Sequence, residues 1–92
     1  MSAPLLLQPQ EPPLDHPDSH CRFQGELVST PGALREFGVF LIVACHMLLK
    51  IKADQHDGID YLQVFTDPKD GSRKLWFIDD GEHVTALLPE DY

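Results

Sequence analysis

Residues 37–49 read Phe-Gly-Val-Phe-Leu-Ile-Val-Ala-Cys-His-Met-Leu-Leu and form the longest apolar run of the chain. Only Gly38 and His46 interrupt it. A run of this length is shorter than the roughly 20 residues that a membrane-spanning helix needs, so it predicts a core element rather than a membrane span. Val39–Val43 is rich in β-branched residues and leaves a buried strand open as an alternative. We expect His46 to be a core histidine bonded to a backbone carbonyl rather than a catalytic group.

The residues on either side of the run favour a helix. Ser29 or Thr30 can cap a first turn, and Pro31 suits the first helical position because its missing amide would have no partner there. Lys50 and Lys52 follow the run, where cations suit the dipole of a helix end. We therefore predict one helix from about residue 31 to about 53.

The middle two turns of this predicted helix are apolar on nearly every side. A helix that lies on one sheet needs an apolar face of little more than about 100°. The remaining apolar surface must be covered by a second copy of the chain, by another protein or by the N-terminal arm. The residues that we expect on the core or dimer face are Phe37, Phe40, Leu41, Val43 and Met47.

Alternating apolar and polar residues predict four strands around the helix. One precedes it at 21–28, and three follow it at 60–66, 74–78 and 83–88. The connections at 67–72 and 79–82 carry Asp-Gly pairs that suit hairpins. The predicted fold class is α+β, with one central apolar helix packed on a small antiparallel sheet in the order β-α-β-β-β.

Residues 1–19 hold five of the eight prolines. Proline lacks an amide donor and pushes the preceding residue toward extended backbone. We therefore predict a disordered, Pro-rich N-terminal arm over 1–19 and a single α+β domain over 20–92. The leucines of the arm leave two alternatives open, docking on the domain and docking on a partner. These leucines are Leu5, Leu6, Leu7 and Leu14.

The two cysteines predict no disulfide and no metal centre. Cys45 lies in the apolar run, where a buried thiol is ordinary. His16, His20 and Cys21 have a spacing that can bind zinc, but Pro17 interrupts any helix between them and no second Cys/His pair follows at zinc-finger distance. The N-terminus has no basic stretch before a long apolar segment, so we expect no signal peptide and a cytoplasmic protein.

The chain is strongly acidic, with a net charge of −8. A surface of this sign repels nucleic acid and anionic membranes, so we expect no direct binding to either and favour a protein partner with a basic surface. The alternative is that the acidity only keeps the protein in solution. The acids are concentrated late in the chain, since residues 54–92 hold ten acids and three bases.

Alternate turns of a meander fall at the same end of the sheet, so the 57–60 turn should lie beside the 79–82 turn. This arrangement predicts an acidic rim that binds a partner. The alternative is that aspartate is common in turns because its side chain bonds to the local backbone. The predicted partner-binding residues are Asp57, Asp60, Asp79, Asp80, Glu82, Glu90 and Asp91.

No catalytic constellation is recognisable in the sequence. It has no glycine-rich phosphate loop, no nucleophile elbow and no helical His-Glu zinc motif. Carboxylates in adjacent turns without a pocket are normally solvated, and a chain of this size leaves little room for a substrate cavity. We predict that the protein is not an enzyme, with no catalytic residue, cofactor or metal.

Residues 59–65, Ile-Asp-Tyr-Leu-Gln-Val-Phe, and the C-terminal segment 75–92 resemble small phage- and plasmid-borne proteins. Those proteins end in a similar Asp-Gly…Leu-Pro-x-x-Tyr sequence after a helix and a hydrophobic hairpin. The resemblance covers about the last third of the chain and carries over no activity. It implies a mobile-element protein that acts on host machinery.

Two functional hypotheses follow. The first is a small non-enzymatic inhibitor or adaptor that binds a basic host protein or complex, as anti-CRISPR proteins do. The second is a structural or regulatory homodimer that assembles through the central helix, with no nucleic-acid mimicry.

Overall fold

The structure is a computed structural model that describes residues 5–7 and 20–92. The fold is α+β, as the sequence predicts, with two helices packed on a five-stranded, mostly antiparallel sheet. The elements are β1 (Leu6–Leu7), β2 (Glu26–Ser29), α1 (Pro31–Phe37), α2 (Val39–Gln55), β3 (Leu62–Asp67), β4 (Asp70–Asp79), β5 (His83–Leu87) and a 3-10 helix (Pro89–Asp91).

The sheet has the strand order β1-β3-β4-β5-β2. The predicted antiparallel meander of β3, β4 and β5 is confirmed, with Phe65 opposite Leu75 and Phe77 opposite Ala86. The predicted antiparallel sheet is confirmed except at β2, which runs parallel to β5. Because α2 returns the chain to the end of the sheet where β2 starts, β3 and β5 both run in the direction of β2.

The predicted single helix is broken at Gly38. Thr30 caps α1 as expected, since its Oγ1 accepts the Ala33 amide at 3.2 Å and Pro31 is the first helical residue. Gly38 then takes φ 84° and ψ 155°, a conformation that is essentially restricted to glycine. The axes of α1 and α2 meet at 101°, and this bend lets Phe37 and the inner side of α2 both reach the sheet.

Part of the predicted N-terminal arm belongs to the sheet. Leu6 lies opposite Thr66 and Leu7 opposite Phe65, and Leu5 is buried in the core. The prediction of disorder is therefore wrong for residues 5–7. No proline separates these leucines, so their amides are free to pair and alternate side chains can turn toward the core. Leu14, His16 and the remainder of the arm lie outside the described residues.

The core lies between the sheet and the inner side of α2. Phe65 and Phe77 meet edge to face with their ring centroids 5.5 Å apart, and both are fully buried. The side chains of α2 that pack onto the sheet are Ile42, Cys45, His46, Leu49 and Ala53. Within the described ranges no single helix is long and apolar enough to cross a membrane, although the bent pair α1 and α2 reaches that length and composition together.

Candidate protein-interaction surfaces

The side of α2 that points away from the sheet is apolar and exposed. Phe40 is 90% exposed, Met47 54% and Val43 40%. Spacings of three and four residues place these side chains on one side of the helix. We call this surface the α2 outer face, and its members are Val39, Phe40, Val43, Ala44, Met47, Leu48 and Ile51.

The predicted helix residues therefore divide between two sides. Phe40, Val43 and Met47 lie on the α2 outer face, whereas Phe37 is buried and Leu41 is half-buried against the core. The hydrophobic pattern could not separate the two sides because α2 is apolar all round. The side of α2 that packs on the sheet includes the thiol of Cys45 and the imidazole of His46.

The α2 outer face is large for a chain of this size. Six of its large side chains are 40–90% exposed, and Phe40 alone leaves most of the roughly 150–250 Å² of an aromatic side chain in water. The largest apolar patch on a typical monomer is about 300–600 Å², and a standard protein–protein interface buries about 800 Å² on each partner. The α2 outer face thus approaches the area that one subunit contributes to a stable interface.

Residues 20–25 cross the end of the sheet where α2 ends and β3 begins, and we call them the crossing segment. Backbone bonds of 2.9 Å in both directions join Cys21 to Ile59. A Cβ at Gly58 would lie 2.6 Å from the His20 Cα, and one at Gly25 would lie 2.5 Å from the Glu82 carbonyl oxygen. Glycine is required at both places because the backbones touch.

Phe23 anchors the crossing segment in the core. It is fully buried and has φ 56°, a left-handed conformation that is rare for a bulky residue. Its amide donates to Asp79 Oδ2 at 2.9 Å, and its carbonyl accepts from His46 Nε2 at 2.8 Å. The predicted carbonyl bond of His46 is confirmed. Burial lowers the pKa of His46, and the hydrogen bond to Phe23 partly opposes this.

The register brings the two predicted acidic turns to the same end of the sheet. The Asp79 amide donates to the Tyr61 carbonyl at 2.9 Å, so the turn after α2 lies against the turn between β4 and β5. Asp57, Asp60, Asp79, Asp80 and Glu82 therefore share one end of the molecule, which we call the acidic end.

Several of these carboxylates bind groups of the same chain. Arg22 of the crossing segment forms a salt bridge with Asp57. Asp80 Oδ1 accepts the amides of Glu82 at 2.9 Å and His83 at 2.7 Å, and these bonds lower the pKa of Asp80. Asp60 Oδ1 is buried and has no hydrogen-bond partner among the residues that the structure describes. The local bonding that aspartate prefers in turns accounts for much of the acidic end.

Glu90 and Asp91 lie at the opposite end of the sheet from the other predicted rim residues. Asp91 Oδ2 accepts from the Thr30 hydroxyl at 2.7 Å and from the Leu88 amide at 3.1 Å, and these bonds lower the pKa of Asp91. The 3-10 helix is thus bonded to the start of α1.

Arg73 joins the β3–β4 hairpin to α1 at that same end. Its guanidinium donates to Glu36 Oε1 at 2.7 Å, to the Glu36 carbonyl at 2.8 Å and to Asp67 Oδ2 at 3.1 Å. It also lies 4.4 Å from the centroid of the Phe37 ring. An open cleft of about 440 Å³ adjoins this network. Because the carboxylates of Glu36 and Asp67 neutralise the Arg73 guanidinium, we assign this hydrogen-bond network a structural role.

The chemistry-bearing side chains of the described residues do not converge on a metal. No group of three or more His, Cys, Asp or Glu side chains within 5–7 and 20–92 is arranged to hold an ion. Cys21 and Cys45 are not joined by a disulfide. Burial raises the pKa of the Cys45 thiol to about 11.

Comparison of the chain with protein-family profiles, with curated proteins and with solved structures finds no match.

Proposed function

We propose that the protein is a non-enzymatic interaction module that works as a homodimer joined through the α2 outer face. The exposure of Phe40 in the first turn of the apolar helix α2 supports this proposal above all else. A helix that is apolar on all sides normally lies inside a core, and here the sheet covers only one side.

A second copy of the chain fits this surface in area and in charge. A specific interface buries at least about 1,200 Å² in total, and two faces with six exposed large apolar side chains each offer an area of that order. The α2 outer face carries no charged side chain, so a contact between two identical faces leaves no ion unpaired. Symmetric contacts of this kind are the commonest form of homo-oligomer.

The mass in solution tests the homodimer. We expect twice the chain mass of 10.4 kDa by light scattering, and a monomer or an insoluble chain after Phe40→Asp. Leu6→Asp is the matched control, because Leu6 is an exposed leucine on the far edge of the sheet. A monomeric wild type at high concentration would refute the homodimer.

The second candidate function is an inhibitor or adaptor of a basic host protein, acting from the cytoplasm as a mobile-element product. The concentration of carboxylates at the acidic end supports this function, and Glu82 is exposed there. Cys21 and Cys45 are not joined by a disulfide, which is in keeping with a reducing compartment.

A charge reversal away from the fold contacts tests this second function. Glu82→Lys leaves the Asp79 bond to Phe23 intact, unlike a change at Asp79 itself. Retention of basic bacterial proteins by the immobilised wild type should fall with added salt and with Glu82→Lys, but not with Lys69→Glu at the other end of the sheet. Equal retention by all three proteins would remove this candidate.

A further inference from the structure

We infer that the two copies of α2 pack antiparallel, with the two-fold axis beside Ala44. This inference rests on the proposed homodimer and specifies its geometry. It follows from where the charges lie relative to the two ends of α2 and from the position of the one small side chain on the α2 outer face.

The charges oppose a parallel arrangement. α2 ends at Gln55, and the turn that follows carries Asp57 and Asp60 of the acidic end. A parallel pair would set the two acidic ends side by side and would also place Lys50 and Lys52 beside their own copies. Like charges at short range repel, and the subunits each carry −8. An antiparallel pair puts the acidic ends at opposite poles of the dimer.

Ala44 marks the point of closest approach. It is exposed near the middle of the α2 outer face, one helical turn from Phe40 and one from Leu48. Helix axes approach to about 8–10 Å according to the size of the side chains at the contact, so a small residue at the crossing allows close packing. About this axis Phe40 packs against the Leu48 side chain of the other copy, and Leu48 against its Phe40.

The arrangement makes the dimer bivalent. Each pole presents one acidic end, and the two point in opposite directions. A basic partner with two separated sites, or two separate basic partners, would meet one acidic end each.

Distances between labels on the two helices distinguish the orientations. Gln55 is polar and exposed at the C-terminal end of α2, one turn beyond Ile51, the last member of the α2 outer face, so a spin label on Gln55→Cys lies beyond the apolar contact. Eleven residues separate it from Ala44, and at 1.5 Å per residue the antiparallel pair places the two labelled positions about 33 Å apart along the helices. A parallel pair places them about 10 Å apart. Ala44→Cys should also crosslink to its own copy with a short bis-maleimide.

Each result has one meaning. We expect a long distance between the labels at position 55 of the two copies, together with crosslinking at position 44. The unsubstituted protein is the control for labelling of Cys21. A short Gln55 distance with Ala44 crosslinking overturns the antiparallel packing and leaves the homodimer standing. A dimer without Ala44 crosslinking overturns the crossing at Ala44 and the contact through the α2 outer face. A monomer by light scattering overturns the homodimer and the orientation together.

Discussion

His46 Nε2 donates to the carbonyl oxygen of Phe23 across 2.8 Å inside the core. A carbonyl only accepts, so the bond requires the proton on Nε2. The Phe23 amide is held in turn by Asp79. Left-handed backbone at a residue other than glycine costs about 1–3 kcal/mol, and these two bonds fix Phe23 there. α2 and β4 together hold the crossing segment in place.

The first prediction concerns the pH dependence of stability. Burial lowers the pKa of His46 below its usual value of about 6.5, with Lys50 adding to the effect and Asp79 opposing it. The unfolded chain therefore binds more protons than the folded one just below pH 6.5, so the free energy of unfolding falls as the pH drops below that value. Urea denaturation between pH 5 and pH 8 measures it.

His46→Gln separates titration from packing. The glutamine amide can still donate to Phe23 but does not titrate, so we expect a loss of about 1–2 kcal/mol at pH 7 and a flatter pH profile. His56→Gln, at an exposed histidine just after α2, should keep the wild-type profile. An equally steep profile in His46→Gln would assign the pH dependence to another group.

The second prediction concerns the break between the helices. Gly38→Ala should lower the free energy of unfolding by about 1–3 kcal/mol, because Gly38 has φ 84° and ψ 155°. A Cβ at Gly38 would meet no atom of the described residues within 4 Å, so the loss would come from the backbone alone. Gly71→Ala is the control, since it also meets nothing within 4 Å but has no left-handed φ. Thermal unfolding of both variants should show a loss only at Gly38.

The third prediction concerns the thiols. Cys45 is buried and its pKa is raised to about 11, so it should not react with a thiol reagent at pH 8 while the protein is folded. A Cys21→Ser variant should then show no reactive thiol until urea unfolds it, when one appears. Rapid labelling of the folded variant would mean that α2 leaves the sheet readily.

The fourth prediction concerns salt and the homodimer. The contact is apolar and the subunits are both acidic, so screening should strengthen association. The Debye length falls from about 30 Å at 0.01 M to about 8 Å at 0.15 M ionic strength, and we expect the dissociation constant to fall over that range. Sedimentation equilibrium measures it. Binding through the acidic end to a basic protein should show the opposite trend, and so would a dimer held by ion pairs.

The parts of the fold that local chemistry sets could be predicted from the sequence. Thr30 and Pro31 predict the start of α1, and the Asp-Gly turns predict the meander. The bend at Gly38 could not be predicted, because a glycine inside an apolar run is compatible with a continuous helix. Its backbone angle is decided by the packing of Phe37 and α2 against the sheet.

The candidate surfaces were predictable to different degrees. The sequence showed that α2 has more apolar surface than one sheet can cover. Which side of α2 is exposed depends on tertiary packing and could not be predicted. The meander predicted that the acidic turns lie at one end of the sheet. It did not predict the hydrogen bond that Asp79 accepts, because the donor Phe23 lies 56 residues away. Long-range bonds of this kind leave no local pattern.

The position of α2 in the chain has a consequence during synthesis. The ribosome releases α2 before β3, β4 and β5 exist, and these strands cover its inner side. At about 5–20 residues per second the nascent helix waits for a few seconds with both of its apolar sides in water. The Asp91 bond to Thr30 forms only after β5 has been made. The nascent chain should therefore be a chaperone client until β5 emerges, and a stall after Gln55 should lead to aggregation.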